Sequence, residues 1–292
     1  MNPVVLISVL ALGITAAVAG IALYVISRTF HVVEDARVDE IENLLPGINC
    51  GACGYPGCRG CAEAIITAAD DGDITGFFCP PGGNEVMGKI ARKLGYQAQR
   101  QMPTTAVLLC NGGMDKAPVK YRYRGPEKCF ISHELFLGPA GCAYGCLGYG
   151  DCVQACDFDA IKIDPKTGLP VILEDHCVSC GACVKACPRN LIVILPRGGQ
   201  NQRVWVACQN REKGAIAIKN CKAACIACNK CVKICDQIAQ AVSIQNNVAV
   251  IDQERCTRCG TCVGECPTGA ILANFSLFEE LGEPALKDGG KQ

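Results

Sequence analysis

The amino-acid sequence predicts an α+β protein with one N-terminal transmembrane helix, a small cysteine-rich domain and two tandem copies of a larger cysteine-rich module. Three observations predict this organisation. An uncharged apolar segment lies near the start of the chain, 25 of the 292 residues are cysteine, and the cysteines of residues 129–187 recur 79 residues later. Recurrence of one pattern at a fixed displacement is the signature of a repeated structural unit.

The charge balance and the cysteine content exclude several classes of protein. Lys plus Arg and Asp plus Glu are both 28, so the formal net charge is zero and nothing basic points to nucleic acid as a partner. Aromatic residues make up 5% of the chain, so a large aromatic core is not expected. An odd number of cysteines cannot all pair internally, and cysteines two or three residues apart are typical of metal or cluster ligands. We therefore expect the cysteines to organise much of the fold.

The first element is a helix long and apolar enough to cross a bilayer. Val4 to Ile26 contains no charged residue. At about 1.5 Å per residue this segment reaches roughly 34 Å, against a hydrocarbon core of about 30 Å. Ala17-Val18-Ala19 resembles a signal-peptide cleavage site, but no basic residue precedes the apolar run and the run continues past it. We expect a retained single-pass anchor over residues 1–28.

Basic residues after this segment predict the side of the membrane on which the rest of the chain lies. Arg28, His31 and Arg37 follow the apolar run and none precedes it, which favours a cytoplasmic C-terminal side. A reducing compartment also preserves clustered free thiols. The expected location is the bacterial cytoplasmic (inner) membrane, with the lipid bilayer around the helix and the cysteine-rich domains on the cytoplasmic side.

Residues 29–95 are expected to form a small domain around one 4Fe–4S cluster. Three cysteines lie within nine residues, and a fourth follows a predicted helix. These ligands are Cys50, Cys53, Cys58 and Cys79. Four thiolates suit a 4Fe–4S cluster, with a structural zinc site as the alternative. Cys61 is interpreted as a bystander, and residues 96–105 as a polar linker.

Residues 106–198 and 199–274 are two copies of one module, and residues 275–292 are a C-terminal tail. Nine cysteines of the first copy fall on nine of the second without a gap. The pairs, in order, are Cys129/Cys208, Cys142/Cys221, Cys146/Cys225, Cys152/Cys231, Cys156/Cys235, Cys177/Cys256, Cys180/Cys259, Cys183/Cys262 and Cys187/Cys266. Short apolar or alternating segments predict strands between the cysteines. They are Ala160 to Ile163, Val171 to Leu173, Ile192 to Leu195, Val204 to Val206, Ala241 to Ile244 and Val248 to Ile251.

Each copy ends in the spacing Cys-x2-Cys-x2-Cys-x3-Cys-Pro, from Cys177 to Pro188 and from Cys256 to Pro267. This is the ligand run of bacterial ferredoxins, in which the fourth cysteine serves the other cluster of a pair. Each module is therefore predicted to be bacterial-ferredoxin-like and to hold two clusters, with paired zinc ribbons as the alternative. Together with the N-terminal domain this gives five 4Fe–4S clusters, and a further cluster is left open.

Crossed ligation gives four predicted ligand sets in the two modules. They are Cys142, Cys146, Cys152 and Cys187; Cys156, Cys177, Cys180 and Cys183; Cys225, Cys228, Cys231 and Cys266; and Cys235, Cys256, Cys259 and Cys262. Tyr149 stands where the second copy has Cys228, so Cys142 is the expected substitute ligand, and its counterpart Cys221 is an alternative ligand in the second copy. Five cysteines keep no assigned role, being buried small hydrophobes, alternative ligands or part of a further site. They are Cys61, Cys110, Cys129, Cys208 and Cys221.

The sequence contains no motif for nucleotide, flavin or hydrolytic chemistry. The nearest approach to a dinucleotide fingerprint, at Gly145, Gly148 and Gly150, lies inside a cysteine run. Clusters with complete ligand sets leave no open iron for a substrate. The predicted chemistry is therefore transfer of single electrons from cluster to cluster, with no catalytic residue.

The order of these motifs resembles the RnfB family, which supplies one component of the Rnf complex. The resemblance rests on a membrane span, then Cys50-Gly-Ala-Cys-Gly-Tyr-Pro-Gly-Cys58, then Cys79-Pro-Pro-Gly-Gly, then the ferredoxin runs. It implies an electron-transfer component of an ion-translocating (Na+ or H+) ferredoxin:NAD+ oxidoreductase. Such a component accepts electrons from soluble reduced ferredoxin and relays them to other subunits of the membrane complex, where the NAD chemistry occurs.

Two alternatives to this family remain. One is a polyferredoxin component of another membrane redox complex, such as a hydrogenase or a reductase, and the other is a zinc-bound structural scaffold. Because each cluster with four thiolates carries a formal charge of about −2 and ferredoxins are acidic, docking is expected to need a basic patch. Its candidate residues are Arg122, Arg124, Lys128, Lys219 and Lys222.

Overall fold

A computed structural model describes residues 3–29, 35–97, 99–136 and 138–275 of the chain. The first helix, α1 (Pro3–Thr29), is 27 residues long. Within it, Leu6–Thr29 has a mean hydropathy of 2.4 and is not buried against the described chain. By length and composition this helix can cross a membrane, as the sequence predicts. His31 and the tail from residue 276 onwards lie outside the described residues.

Three helices pack around one apolar core to form the N-terminal domain. They are α2 (Ala36–Leu44), α3 (Cys58–Asp70) and α4 (Gly83–Leu94). Asp35 caps α2 by accepting a 2.9 Å hydrogen bond from the N–H of Arg37. Ile41, Ile65 and Ile90, one from each helix, are fully buried in the same core. This core fixes the loops before α3 and α4, which carry the predicted ligands.

The first module consists of four strands and three short helices. They are β1 (Thr104–Leu108), α5 (Cys129–Phe136), α6 (Asp151–Gln154), β2 (Ile161–Ile163), β3 (Pro170–Ile172), α7 (Ala182–Ala186) and β4 (Ile192–Pro196). β1 pairs antiparallel with β4, with Leu108 opposite Ile192, and β2 pairs with β3. β1 begins inside the segment expected to be linker, because Ala106 and Val107 are buried against β4.

The second module repeats this arrangement. Its elements are a 3-10 turn (Gly199–Asn201), β5 (Val204–Val206), α8 (Gly214–Asn220), α9 (Lys230–Asp236), β6 (Val242–Gln245), β7 (Val248–Ile251), α10 (Thr261–Gly264) and β8 (Ile271–Ala273). β5 pairs antiparallel with β8, and β6 with β7. The six predicted strands are confirmed, with ends that differ by at most one residue. Helices and small antiparallel sheets together confirm the α+β class.

The two modules pack against each other through backbone and side-chain contacts. The N–H of Asn111 donates a 2.9 Å hydrogen bond to the carbonyl oxygen of Ala207, and the N–H of Lys222 donates one of 2.9 Å to Lys116. The fully buried Arg203 of the second module forms an ion pair with Glu174 of the first. These contacts bring the start of the first module against the cysteine loops of the second.

Candidate iron–sulfur centres

All 25 cysteines of the chain carry free thiols. Among the residues that the structure describes, no group of three or more Cys, His, Asp or Glu side chains is close enough to hold a single metal ion. A 4Fe–4S cluster takes four thiolates, one on each iron, so groups of four cysteines meet its ligand demand.

The N-terminal site is a loop before α3 that wraps around a pocket of about 310 Å³. All four predicted ligands line this pocket and are called the N-terminal set: Cys50, Cys53, Cys58 and Cys79. Asn49 Oδ1 accepts a 2.7 Å hydrogen bond from the N–H of Cys58 and so fixes the start of α3. Gly57 has a φ of 99°, and a Cβ there would lie 2.8 Å from Asn49 Oδ1, so the turn requires glycine.

Cys61 lies beside the N-terminal set and lines the same pocket. Its side chain is buried on the inner face of α3. Burial raises the pKa of the Cys61 thiol well above its usual value, and repulsion from neighbouring thiols, first that of Cys53, adds to the effect. Cys61 therefore lies in the wall of the pocket as a fifth cysteine beside the four predicted ligands.

A pocket of about 410 Å³ in the first module groups thiols that differ from the predicted ligand set by one residue. The thiols that line it, called the first set, are Cys129, Cys146, Cys152 and Cys187. Cys142, the expected substitute for the ligand missing at Tyr149, lines a different pocket. Cys129 is held in its place because the N–H of Phe130 donates a 3.2 Å hydrogen bond to Asp151 Oδ2. The Cys129 sulfur also accepts backbone hydrogen bonds from Tyr149 and Asp151.

The other predicted set of the first module is brought together, and we call it the second set. Burial raises the pKa of the Cys183 thiol to about 11, and repulsion from three other thiols adds to it. These thiols are Cys177, Cys180 and Cys156. Burial also raises the pKa of the Cys180 thiol, to which Cys50 of the N-terminal set adds repulsion. The N-terminal set therefore lies next to the second set.

Both predicted sets of the second module are also brought together. In the third set, burial raises the pKa of Cys231 to about 11, with added repulsion from Cys225, Cys228 and Cys266. Cys221 is not part of this group and lines another pocket. The fourth set lines a pocket of about 330 Å³ and consists of Cys235, Cys256, Cys259 and Cys262.

Hydrogen bonds to sulfur stabilise the thiolate form at two of these positions. Burial alone would raise the pKa of Cys266, but backbone and hydroxyl donors, first those of Thr268, lower it below its usual value. The N–H of Ala270 lies 3.3 Å from Cys266 Sγ. At Cys259 the donors of Thr261 have the same effect. Such bonds favour ligation by thiolate and tune the potential of a bound cluster.

A sixth group of thiols lies where the two modules meet. Four cysteines, called the junction thiols, line a pocket of about 310 Å³: Cys110, Cys142, Cys208 and Cys221. All four are buried, with exposed fractions of 5 to 8%. From the sequence alone, Cys110, Cys208 and Cys221 have no assigned role, and Cys142 is expected to bind a cluster together with Cys146.

Comparisons with known proteins agree with this chemistry. Residues 45–71 match the FeS family of Fe-S cluster domains, residues 143–194 a 4Fe-4S dicluster domain and residues 249–272 a 4Fe-4S binding domain. The B component of the ion-translocating oxidoreductase complex of Methanosarcina acetivorans is 37% identical over 93% of this chain and 99% of its own length. The B component of the Na(+)-translocating ferredoxin:NAD(+) oxidoreductase complex of Acetobacterium woodii is 39% identical over 91% of this chain and 77% of its own length. The proton-translocating counterpart of Clostridium ljungdahlii is 38% identical over 94% of both chains.

Proposed function

Because the chain belongs to the RnfB family of ion-translocating ferredoxin:NAD(+) oxidoreductase complexes and is an iron–sulfur electron-transfer component of such a complex, we propose that it takes electrons from soluble reduced ferredoxin. It then relays them, one at a time, to the other subunits of the complex. Each bound 4Fe–4S cluster supplies one-electron chemistry. The residues of this chain hold and tune the clusters.

Five clusters belong to this proposal, one for the N-terminal set and one for each of the four module sets. The observation that carries it is the grouping of four thiols around each site, with Cys129 in the place expected for Cys142. Four separate thiolates per site match the ligand demand of a cubane cluster. The division into residues 29–95, 106–198 and 199–274 follows the same grouping.

The sets are arranged as neighbours, which supports a relay. The N-terminal set adjoins the second set through Cys50 and Cys180. Within the first module, burial raises the pKa of Cys152 to about 12, and Cys183 of the second set adds repulsion. Within the second module, Cys231 of the third set acts in the same way on Cys262 of the fourth set. The two sets of each module therefore adjoin, and clusters bound there would supply one-electron transfer between neighbours.

The location of the relay follows from α1. We infer that α1 lies in the lipid bilayer of a bacterial cytoplasmic membrane, with the cluster domains on the cytoplasmic side. Arg28 in its last turn is consistent with this orientation. Soluble ferredoxin would then have direct access to the clusters.

The candidate docking residues for ferredoxin are exposed. Lys219 and Lys222 project around the end of α8, and Arg122, Arg124 and Lys128 are also exposed. Reversal of two charges, Lys219→Glu with Lys222→Glu, should slow reduction by ferredoxin, most strongly at low salt. Lys166→Glu, at an exposed turn outside this group, is the matched control. Equal rates for both variants would exclude this patch.

The experiment for the function itself uses the full chain purified anaerobically from membranes. Reduced ferredoxin should bleach its visible absorbance, and Cys183→Ala should remove about four iron atoms with the matching sulfide. Cys61→Ala, which also removes a buried thiol, should leave the iron content unchanged. Zinc without acid-labile sulfide in the unaltered chain would overturn the proposal.

A further inference from the structure

The junction thiols form a pocket that resembles the N-terminal site. Both pockets are about 310 Å³ in volume and each is lined by four thiols of the proposed ligand type. A pocket of similar volume, about 350 Å³ beside Phe77 and Met87, has no cysteine in its wall. The feature that sets the junction pocket apart is therefore the convergence of four thiols from distant parts of the chain.

The junction thiols are two structurally equivalent pairs, one pair from each module. The N–H of Leu109 donates a 2.7 Å hydrogen bond to Leu191, and the N–H of Ala207 donates one of 2.7 Å to Ala270, so β1 with β4 matches β5 with β8. Cys110 follows Leu109 as Cys208 follows Ala207. Cys142 and Cys221 are already equivalent through the 79-residue displacement. Each module thus contributes the same two thiols to one site.

Donors converge on the sulfurs of this site, as they do on cluster ligands. The N–H of Cys146 lies 3.4 Å from Cys110 Sγ, and the equivalent N–H of Cys225 lies 3.2 Å from Cys208 Sγ. The fully buried Asn210 directs its N–H to Cys208 Sγ at 3.5 Å. Its amide Nδ2 lies 3.6 Å from Cys142 Sγ. Buried thiols that served only as small hydrophobes would not need this set of donors.

Cations lie near the junction thiols and can offset the charge of buried thiolates. Arg189 interacts electrostatically with Cys142 and Cys110, and its guanidinium donates to the carbonyl oxygen of Gly145. Lys116 interacts in the same way with Cys221. Burying several thiolates without such partners would be costly.

We propose that the junction thiols hold a sixth 4Fe–4S cluster, which connects the clusters of the two ferredoxin-like modules. Cys110 accepts its hydrogen bond from Cys146 of the first set, and Cys208 accepts its own from Cys225 of the third set. The site therefore touches the ligand loops of one cluster in each module. One electron arrives from the first module and one leaves to the second, with no bond made or broken and no proton moved. The six sites then form a single series from the N-terminal set to the fourth set.

This inference rests on the proposed function but can fail separately from it. The unaltered full chain, purified anaerobically, should contain about 24 iron atoms and as many acid-labile sulfides, rather than about 20. The double variant Cys142→Ala with Cys221→Ala should lose about four of each, and Val38→Ala, which alters a buried side chain in the N-terminal core, should lose none. The electron paramagnetic resonance spectrum of the reduced double variant should lack one cluster signal and the spin coupling that a cluster between the modules produces.

The outcomes separate the two proposals. About 20 irons in the unaltered chain, with reduction by ferredoxin intact, would overturn the sixth cluster and leave the proposed function standing. One zinc together with about 20 irons, with the zinc lost in the double variant, would overturn it in favour of a zinc site. If the double variant does not accumulate, the iron and zinc contents of the unaltered chain still show whether the junction thiols hold a cluster, a zinc ion or neither.

Discussion

Gly112→Ala tests whether the junction thiols are tied to a cluster. A Cβ at Gly112 would lie 2.7 Å from Cys221 Sγ and 3.8 Å from Cys110 Sγ. The first distance is about 1 Å shorter than the ~3.5–4.0 Å optimum for non-bonded carbon atoms. A free thiol relieves this contact by rotating about one bond, whereas a sulfur bound to iron cannot move. We expect the variant to lose about four irons or to be destabilised by ~1–3 kcal/mol, the usual cost of overpacking.

The control for this prediction is Gly88→Ala, since a Cβ at Gly88 meets nothing within 4 Å. Neither glycine has a left-handed φ, so alanine strains neither backbone. Gly88 lies inside α4, where alanine itself stabilises by up to about 1 kcal/mol, and this gain is subtracted before the two variants are compared. The assays are iron and sulfide content and the midpoint of urea unfolding followed by visible absorbance. If Gly112→Ala matches Gly88→Ala in all three measurements, Cys221 is free to rotate and the reasoning is wrong.

Three further predictions concern other parts of the chain. Cys129→Ala should lose about four irons because Cys129 belongs to the first set. Tyr149→Phe is the control and should lose none. Equal iron contents in the two variants would mean that Cys129 is not a ligand. Arg203→Met leaves the half-buried Glu174 without its ion-pair partner. The urea midpoint should therefore fall by the equivalent of about 2 kcal/mol. Arg255 is exposed, so the control variant Arg255→Met should change the midpoint little. Apoprotein should take up iron and sulfide more slowly as pH falls from about 9 to about 7. Burial raises the pKa of Cys146 and Cys152 to about 12, and a thiol must lose its proton to bind iron. A rate of iron uptake that does not depend on pH would contradict this reasoning.

Most of the predicted ligand groups follow from the spacing of cysteines along the chain. In the second, third and fourth sets, three of the four thiols come from runs in which two residues separate neighbours, and three thiols of the N-terminal set lie within nine residues. A cluster of fixed size constrains that spacing, so it can be read without a structure. The strands between the runs were predictable for a similar reason, because alternating apolar residues reflect one buried face.

The first set shows where local spacing fails. Cys129 lies 17 residues before Cys146, and its position depends on the hydrogen bond from Phe130 to Asp151. Cys142 lies only four residues before Cys146 and was the nearer choice in sequence. Its backbone instead turns it towards the second module, where Asn210 donates to its sulfur.

The sequence by itself determined the family, the α+β class and the membrane-length helix, and it predicted the N-terminal, second, third and fourth sets, because each depends on composition or on spacing along the chain. Only the tertiary structure decided the partners of Cys110, Cys129, Cys142, Cys208 and Cys221. The ungapped repeat matches Cys208 with Cys129, but strand pairing matches it with Cys110, since β1 and β5 each precede their cysteine by two residues. Strand register is set by backbone hydrogen bonds between segments far apart in sequence, and the sulfurs of the junction thiols meet only when the two modules pack together.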